Sequence, residues 1–169
     1  MVRPLVLLFL PLLAIFLEST LFGHFSIWGT GPNVVLLVVA FYAIWTGSRA
    51  GFGYGFLCGL LEDLYTGRFI GMNAISKALT ACVLGRLEVN VFKENVLVGF
   101  GASCVASLLN AVIMIVILSF VQETVVLDLA FFRSLGAQLV YNGLLSIPFY
   151  LWYYRASEDG VLMVPKSER

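Results

Sequence analysis

The sequence predicts an all-α integral membrane protein, a compact bundle of about six transmembrane helices, and three observations predict it. First, 60% of its 169 residues are hydrophobic and 12% charged, with a mean hydropathy of +0.97, which is too apolar for an ordinary soluble domain. Second, the apolar residues fall into long runs separated by short stretches rich in Gly, Pro and charge. Third, Lys and Arg concentrate in alternate loops, as expected of a chain that crosses a bilayer repeatedly.

The runs, in order, cover residues 5–21, 33–46, 50–61, 69–84, 96–121 and 134–154. The first follows Arg3 but contains Pro11 and Glu18, and no small-residue cleavage site follows it, so an uncleaved first span is expected. The loop 22–32 is rich in glycine and aromatics and ends in Gly31-Pro32-Asn33. Proline there suits the first turn of a helix, where no N–H is needed and φ is already helical. The second and third runs fall short of the roughly 20 residues that cross a hydrocarbon core. Separated only by Gly47, Ser48 and Arg49, they form a tight helical hairpin, or the third is partly re-entrant, with five spans as the alternative. The loop 122–133, QETVVLDLAFFR, places Val125, Val126, Leu129 and Phe132 on one face and predicts a short helix lying in the interface. Residues 1–155 form a single transmembrane domain in this reading, and 156–169 a short polar cytoplasmic tail.

With a cytoplasmic N-terminus, the inner segments hold Arg3, Arg49, Arg86, Lys93, Arg155, Lys166 and Arg169, and the outer loops only Arg68 and Arg133. Both termini are therefore expected in the cytoplasm. Trp45, Tyr150, Trp152, Tyr153 and Tyr154 would mark the inner boundary, and Phe22, Phe25 and Trp28 the outer one.

Net charge is zero, which gives no argument for nucleic acid or an acidic substrate. Cys58, Cys82 and Cys104 lie apart inside apolar runs and read as small buried hydrophobes. With His24 the one histidine, no metal or cofactor set can be assembled. Two ionisable groups fall inside the predicted spans, Glu18 and Lys77, at depths that allow an interhelical pair; a structural pair and a ligand or partner site both fit. Polar stripes line the later helices: Asn73, Lys77 and Thr80; Ser103, Ser107 and Asn110; Gln138, Asn142 and Ser146. Such a seam serves equally as interhelical glue or as the wall of a cavity or docking groove. Intramembrane catalysis finds no support, since His24 sits in a loop and Asp63 has no second aspartate facing it.

Residues 47–79 hold the most specific pattern. Glycines recur at Gly47, Gly51, Gly55 and Gly59, the ladder ends on Glu62 and Asp63, and it resumes at Gly67 and Gly71. Four-residue spacing stacks the glycines on one helix face and lets another backbone come close. The carboxylates are expected where that face meets water, with Asp63 accepting backbone N–H groups near the start of the fourth span.

Pro32-Asn33 with VVLLVVAFYAI, then Gly51, Gly55, Phe56, Gly59, Leu60, Leu61, Asp63, Leu64, Gly67, Gly71, Ala74 and Leu79, resemble the MreD family of bacterial rod shape-determining proteins. Asn33 departs from the acidic residue expected there. The resemblance implies a non-catalytic scaffold of the cell-wall elongation machinery in the inner membrane. It would dock the transmembrane helix of an MreC-like single-span partner, and through it meet an actin-like filament and peptidoglycan synthases. On this reading the partner's helix lies in the groove of Gly51, Gly55 and Gly59, with the turn Glu62, Asp63, Gly67 and Gly71 touching its outer portion. The family's fold is similar to the S components of energy-coupling-factor transporters. That supplies the alternative, a small-molecule-binding subunit whose pocket is lined by Asn73, Lys77, Asn110, Gln138 and Asn142.

Overall fold

The computed structural model describes residues 2–22, 30–67, 69–87, 96–121 and 128–158. Among them the chain is all-helical, with six α-helices: α1 (Val2–Leu17), α2 (Val34–Thr46), α3 (Ser48–Thr66), α4 (Met72–Arg86), α5 (Val96–Val121) and α6 (Leu129–Glu158). A turn of π-helix, Glu18–Phe22, continues α1. His24, Phe25, Trp28, Arg68, Lys93, Val125, Val126, Lys166 and Arg169 lie outside the described residues.

The architecture is organised around α2. Its 13 residues span only about 20 Å, and all but Tyr42 and Thr46 are buried. A helix that is apolar on every side belongs in a core, and the other five helices all pack against this one. Each end is closed in a definite way. Asn33 caps the start, its side chain accepting from Leu36 N at 2.7 Å, and Glu18 accepts from Val35 N at 3.0 Å. At the far end Gly47 has φ +84° and alone links α2 to α3, a left-handed conformation that glycine adopts without steric cost. The tight hairpin is present, and α3 is one continuous helix of 19 residues, running five residues beyond the expected end at Leu61.

Around this core, α3 and α4 form one antiparallel hairpin and α5 and α6 another. In the second hairpin, a Cβ on Gly99 would stand 2.5 Å from the Tyr150 ring, and one on Gly143 would stand 2.7 Å from Phe100. The predicted interfacial helix lies partly outside the described residues; its described part, Leu129–Phe132, is instead the first turn of α6. Asp128 starts that turn by accepting from Phe131 N at 2.9 Å, the usual N-cap arrangement.

The inner aromatic boundary is corrected. Trp45, Tyr150 and Tyr153 are buried and join Phe41 and Phe149 in one cluster, with Phe41 edge-on to Tyr150 at 5.1 Å and Trp45 to Tyr154 at 5.8 Å. Of the expected belt only Trp152 is well exposed. Large aromatics at helix ends here fill the gap between α2 and α6, which run parallel, rather than face outward.

The surface carries many large apolar side chains. Leu8, Phe16, Leu57, Leu97, Val140 and Leu144 are all more than half exposed. One described helix segment, Leu97–Val121, is long and apolar enough to cross a bilayer on its own.

Candidate functional site

The glycine ladder is filled from within the molecule. A Cβ on Gly51 would stand 2.8 Å from that of Ala43, and one on Gly55 would stand 2.7 Å from the carbonyl oxygen of Lys77. At Gly59 it would press into the Asn73 carbonyl and lie 2.6 Å from Ala74 Cα. Gly85, on α4, meets Ser48 in the same way at the other end. The ladder therefore lets α3 lie backbone to backbone on α4, and the expected groove for a partner's helix is occupied by the chain itself, by α4 at Gly55 and Gly59 and by Ala43 of α2 together with α4 at Gly51. A second helix cannot share space that lacks room for one methyl group.

The turn between these helices is built on Asp63. Its side chain is 1% exposed, so the expectation that the carboxylates meet water is corrected. Oδ2 accepts from Gly71 N at 2.8 Å and Ala74 N at 3.1 Å, and Oδ1 accepts from Asn73 N at 3.1 Å and Asn73 Nδ2 at 2.9 Å. The carboxylate thereby satisfies the free N–H groups at the start of α4, where its negative charge is also stabilised by the positive end of the helix dipole. Two glycines make the geometry reachable. Gly67 (φ +64°) ends α3 and donates to Asp63 O at 2.9 Å, and Gly71 (φ +104°) begins α4.

Lys77 is paired differently from the expectation. It is fully buried and reaches Glu62 Oε2 at 2.7 Å and Asn73 Oδ1 at 3.3 Å. Its backbone sits opposite Gly55, about two turns from Glu62. A helical side chain leans toward its helix N-terminus, which for α4 is the Asp63–Gly71 turn, so the lysine extends toward Glu62. Glu18, the expected partner, caps α2 instead and lies within electrostatic range of both members of the pair.

The pair yields a test. Lys77→Met leaves the buried Oε2 of the largely enclosed Glu62 without its cation and should lower unfolding stability in detergent by about 3 kcal/mol, while adding Glu62→Gln should restore most of it. Equal destabilisation of the single and double variants would contradict this account of the pair.

The polar seam divides into two parts. One is interhelical packing: Ser76 Oγ donates to Asn110 Oδ1 at 2.8 Å, Asn142 Nδ2 to Ser107 Oγ at 2.8 Å, and Asn33 N to Asn142 Oδ1 at 2.9 Å. Asn142 and Lys77 are consumed in such contacts and line neither polar cavity. The other part surrounds a cavity of about 240 Å³ between α5 and α6, which Asn33, Asn73, Asn110 and Gln138 line. A second cavity, about 730 Å³, lies beside it against Asp63, Thr66 and Asn73. Ser76, Gly85 and Tyr54, whose hydroxyl donates to Leu7 O at 2.8 Å, escaped the sequence reading; Gly85 alone carried a signal, as a small residue facing the Gly47 end of the ladder.

Among the described residues, no group of three or more His, Cys, Asp or Glu side chains could hold a metal ion. Cys58 is buried, and Cys82 and Cys104 are half-buried free thiols.

A family model described as rod shape-determining protein MreD matches residues 1–156. No curated protein matches the chain. No solved structure matches it either.

Proposed function

The chain belongs to the MreD family of rod shape-determining proteins, and from that premise we propose that it is a non-catalytic, multi-pass scaffold of the inner membrane. In this reading its six helices form an S-component-like bundle with both termini cytoplasmic. It holds the single span of an MreC-like partner, and through that partner helps to place an actin-like filament and peptidoglycan synthases. Supporting the membrane placement is the outer surface, where every helix but the enclosed α2 turns large apolar side chains outward, as hydrocarbon surroundings require. The absence of a catalytic grouping in the sequence agrees with a structural role.

The observation that carries the docking is the shape of α5. It is the longest strongly apolar helix, yet Leu97, Val105, Leu108, Val112 and Val116 are exposed along one side. Gly101 lies on that side and has nothing within 4 Å of where a Cβ would be. An outward glycine on an apolar helix admits close approach by another helix, so the partner's span is placed here rather than on the glycine ladder. Gly101→Trp should leave the bundle's thermal unfolding unchanged and reduce co-purification of the MreC-like protein at least fivefold. Full retention of the complex would remove α5 as the docking face, and a wild-type chain that retains no such partner would remove the scaffold reading.

A further inference from the structure

The first helix is attached to the bundle unevenly. Its buried residues are Leu10, Pro11, Ala14 and Ile15, whereas none of residues 5–9 is buried and Leu5, Leu8 and Phe9 are more than half exposed. The second half is anchored at its end as well, because Glu18 accepts from Val35 N at 3.0 Å where the π-helical turn begins. The first half has no such anchor of its own.

Pro11 stands at the border between the two halves. A proline has no N–H to give to the carbonyl four residues earlier, here that of Leu7, and its ring crowds that same carbonyl, which is why prolines are the usual points at which helices bend. In hydrocarbon a carbonyl freed in this way is satisfied by a neighbouring helix. Tyr54 on α3 does so, its hydroxyl donating to Leu7 O at 2.8 Å. The ring of Tyr54 lies 4.3 Å from that of Tyr42 on α2, so the hydroxyl is carried by the α2–α3 pair and stays in place whatever α1 does. Among the described residues it makes the one hydrogen bond between residues 5–9 and another helix.

We infer that residues 2–9 form a hinged strap, with Pro11 as the hinge and the Tyr54 hydroxyl as the latch, whose release uncovers Tyr54 and the seam between α2 and α3. Leu7 has no helical donor in either position of the strap, so the closed position is favoured by the whole of one hydrogen bond, about fivefold in population. The closed position is therefore the resting one. The inference rests on the membrane placement and is independent of the partner.

The test is pulsed electron paramagnetic resonance on the full chain in nanodiscs, with spin labels carried by non-natural amino acids at Leu5 and Leu108, both exposed, so that the three cysteines stay as they are. Wild type should give one principal distance. Tyr54→Phe, which keeps the ring beside Tyr42 and loses only the hydroxyl, should raise a second, open population at least fivefold. Pro11→Ala supplies Leu7 with an N–H from its own helix, so in that background Tyr54→Phe should change the open population less than twofold. An unchanged distribution in Tyr54→Phe would overturn the latch, and an equal rise with and without Pro11→Ala would overturn the part given to the freed carbonyl. Where Tyr54→Phe does not fold, Pro11→Ala alone decides, because it should narrow the wild-type distribution and a broader one would overturn the hinge. A chain that stays out of nanodiscs would overturn the membrane placement and the strap with it, an outcome distinct from an inserted chain whose α1 stays rigid.

Discussion

Asp63→Ala is expected to abolish the α3–α4 hairpin as a stable unit and to lower unfolding stability by about 3–5 kcal/mol. The carboxylate is the acceptor for three backbone N–H groups and the Asn73 amide. Removing it leaves buried donors unpaired in a setting where water cannot replace it. Charge-assisted hydrogen bonds are worth about 1.5–3 kcal/mol each and do not add fully, which fixes the range. Asp63→Asn separates charge from geometry, because an amide keeps one acceptor oxygen and turns the other position into a donor facing N–H groups. It should therefore lose more than half of the alanine effect. Detergent-solubilised protein unfolded by heat checks both; an alanine variant within about 1 kcal/mol of wild type would contradict the role given to Asp63.

Gly59→Val should be comparably severe. The nearest neighbours of a new Cβ are the Asn73 carbonyl and Ala74 Cα, both backbone, so no side chain can rotate away to make room. The helices must separate, taking Ala78 and Ala81 out of their contacts and pulling Lys77 from Glu62. Overpacking costs about 1–3 kcal/mol where a core can adjust, and a backbone neighbour adjusts least, so a loss of 3 kcal/mol or more is expected. Gly53→Val, on the same helix with nothing within 4 Å, should be neutral or slightly stabilising, since glycine is a poor helix former. Limited proteolysis of membranes carrying each variant reads the difference. Resistance of Gly59→Val equal to that of wild type would show that the ladder is not packed as described.

Much of the fold was legible because apolar runs bounded by glycine, proline and charge locate helices without knowledge of their neighbours. Residues 96–121 were delimited as α5 is, and residues 33–46 as α2 is, apart from the capping Asn33. The structure carries α3 to Thr66, beyond the end at Leu61 that the sequence pattern predicts. Glu62 and Asp63 look like a helix end in sequence, and they continue the helix because each finds a buried partner on α4. That α4 fills the ladder follows from hairpin register, in which Gly55 faces Lys77 and Gly59 faces Asn73. A period of four residues states that something approaches closely without saying whether it is the same chain. The pairing of Lys77 required the same register together with the direction in which helical side chains lean. Depth along the membrane normal is compatible with Glu18 and leaves the neighbours of α4 undetermined. For the aromatics, position at a helix end could not distinguish a side chain facing lipid from Tyr150, which packs on Phe41.

The scaffold reading is tested most directly by photo-crosslinking in living cells, with a photoreactive amino acid placed singly at Gly101 on α5, at Leu57 on the outer side of α3, and at the buried Cys58. The account predicts a covalent adduct with the MreC-like single-span protein from position 101 and none from position 58. An adduct from position 57 with none from position 101 would contradict the docking face, and no adduct from any of the three would contradict the scaffold itself.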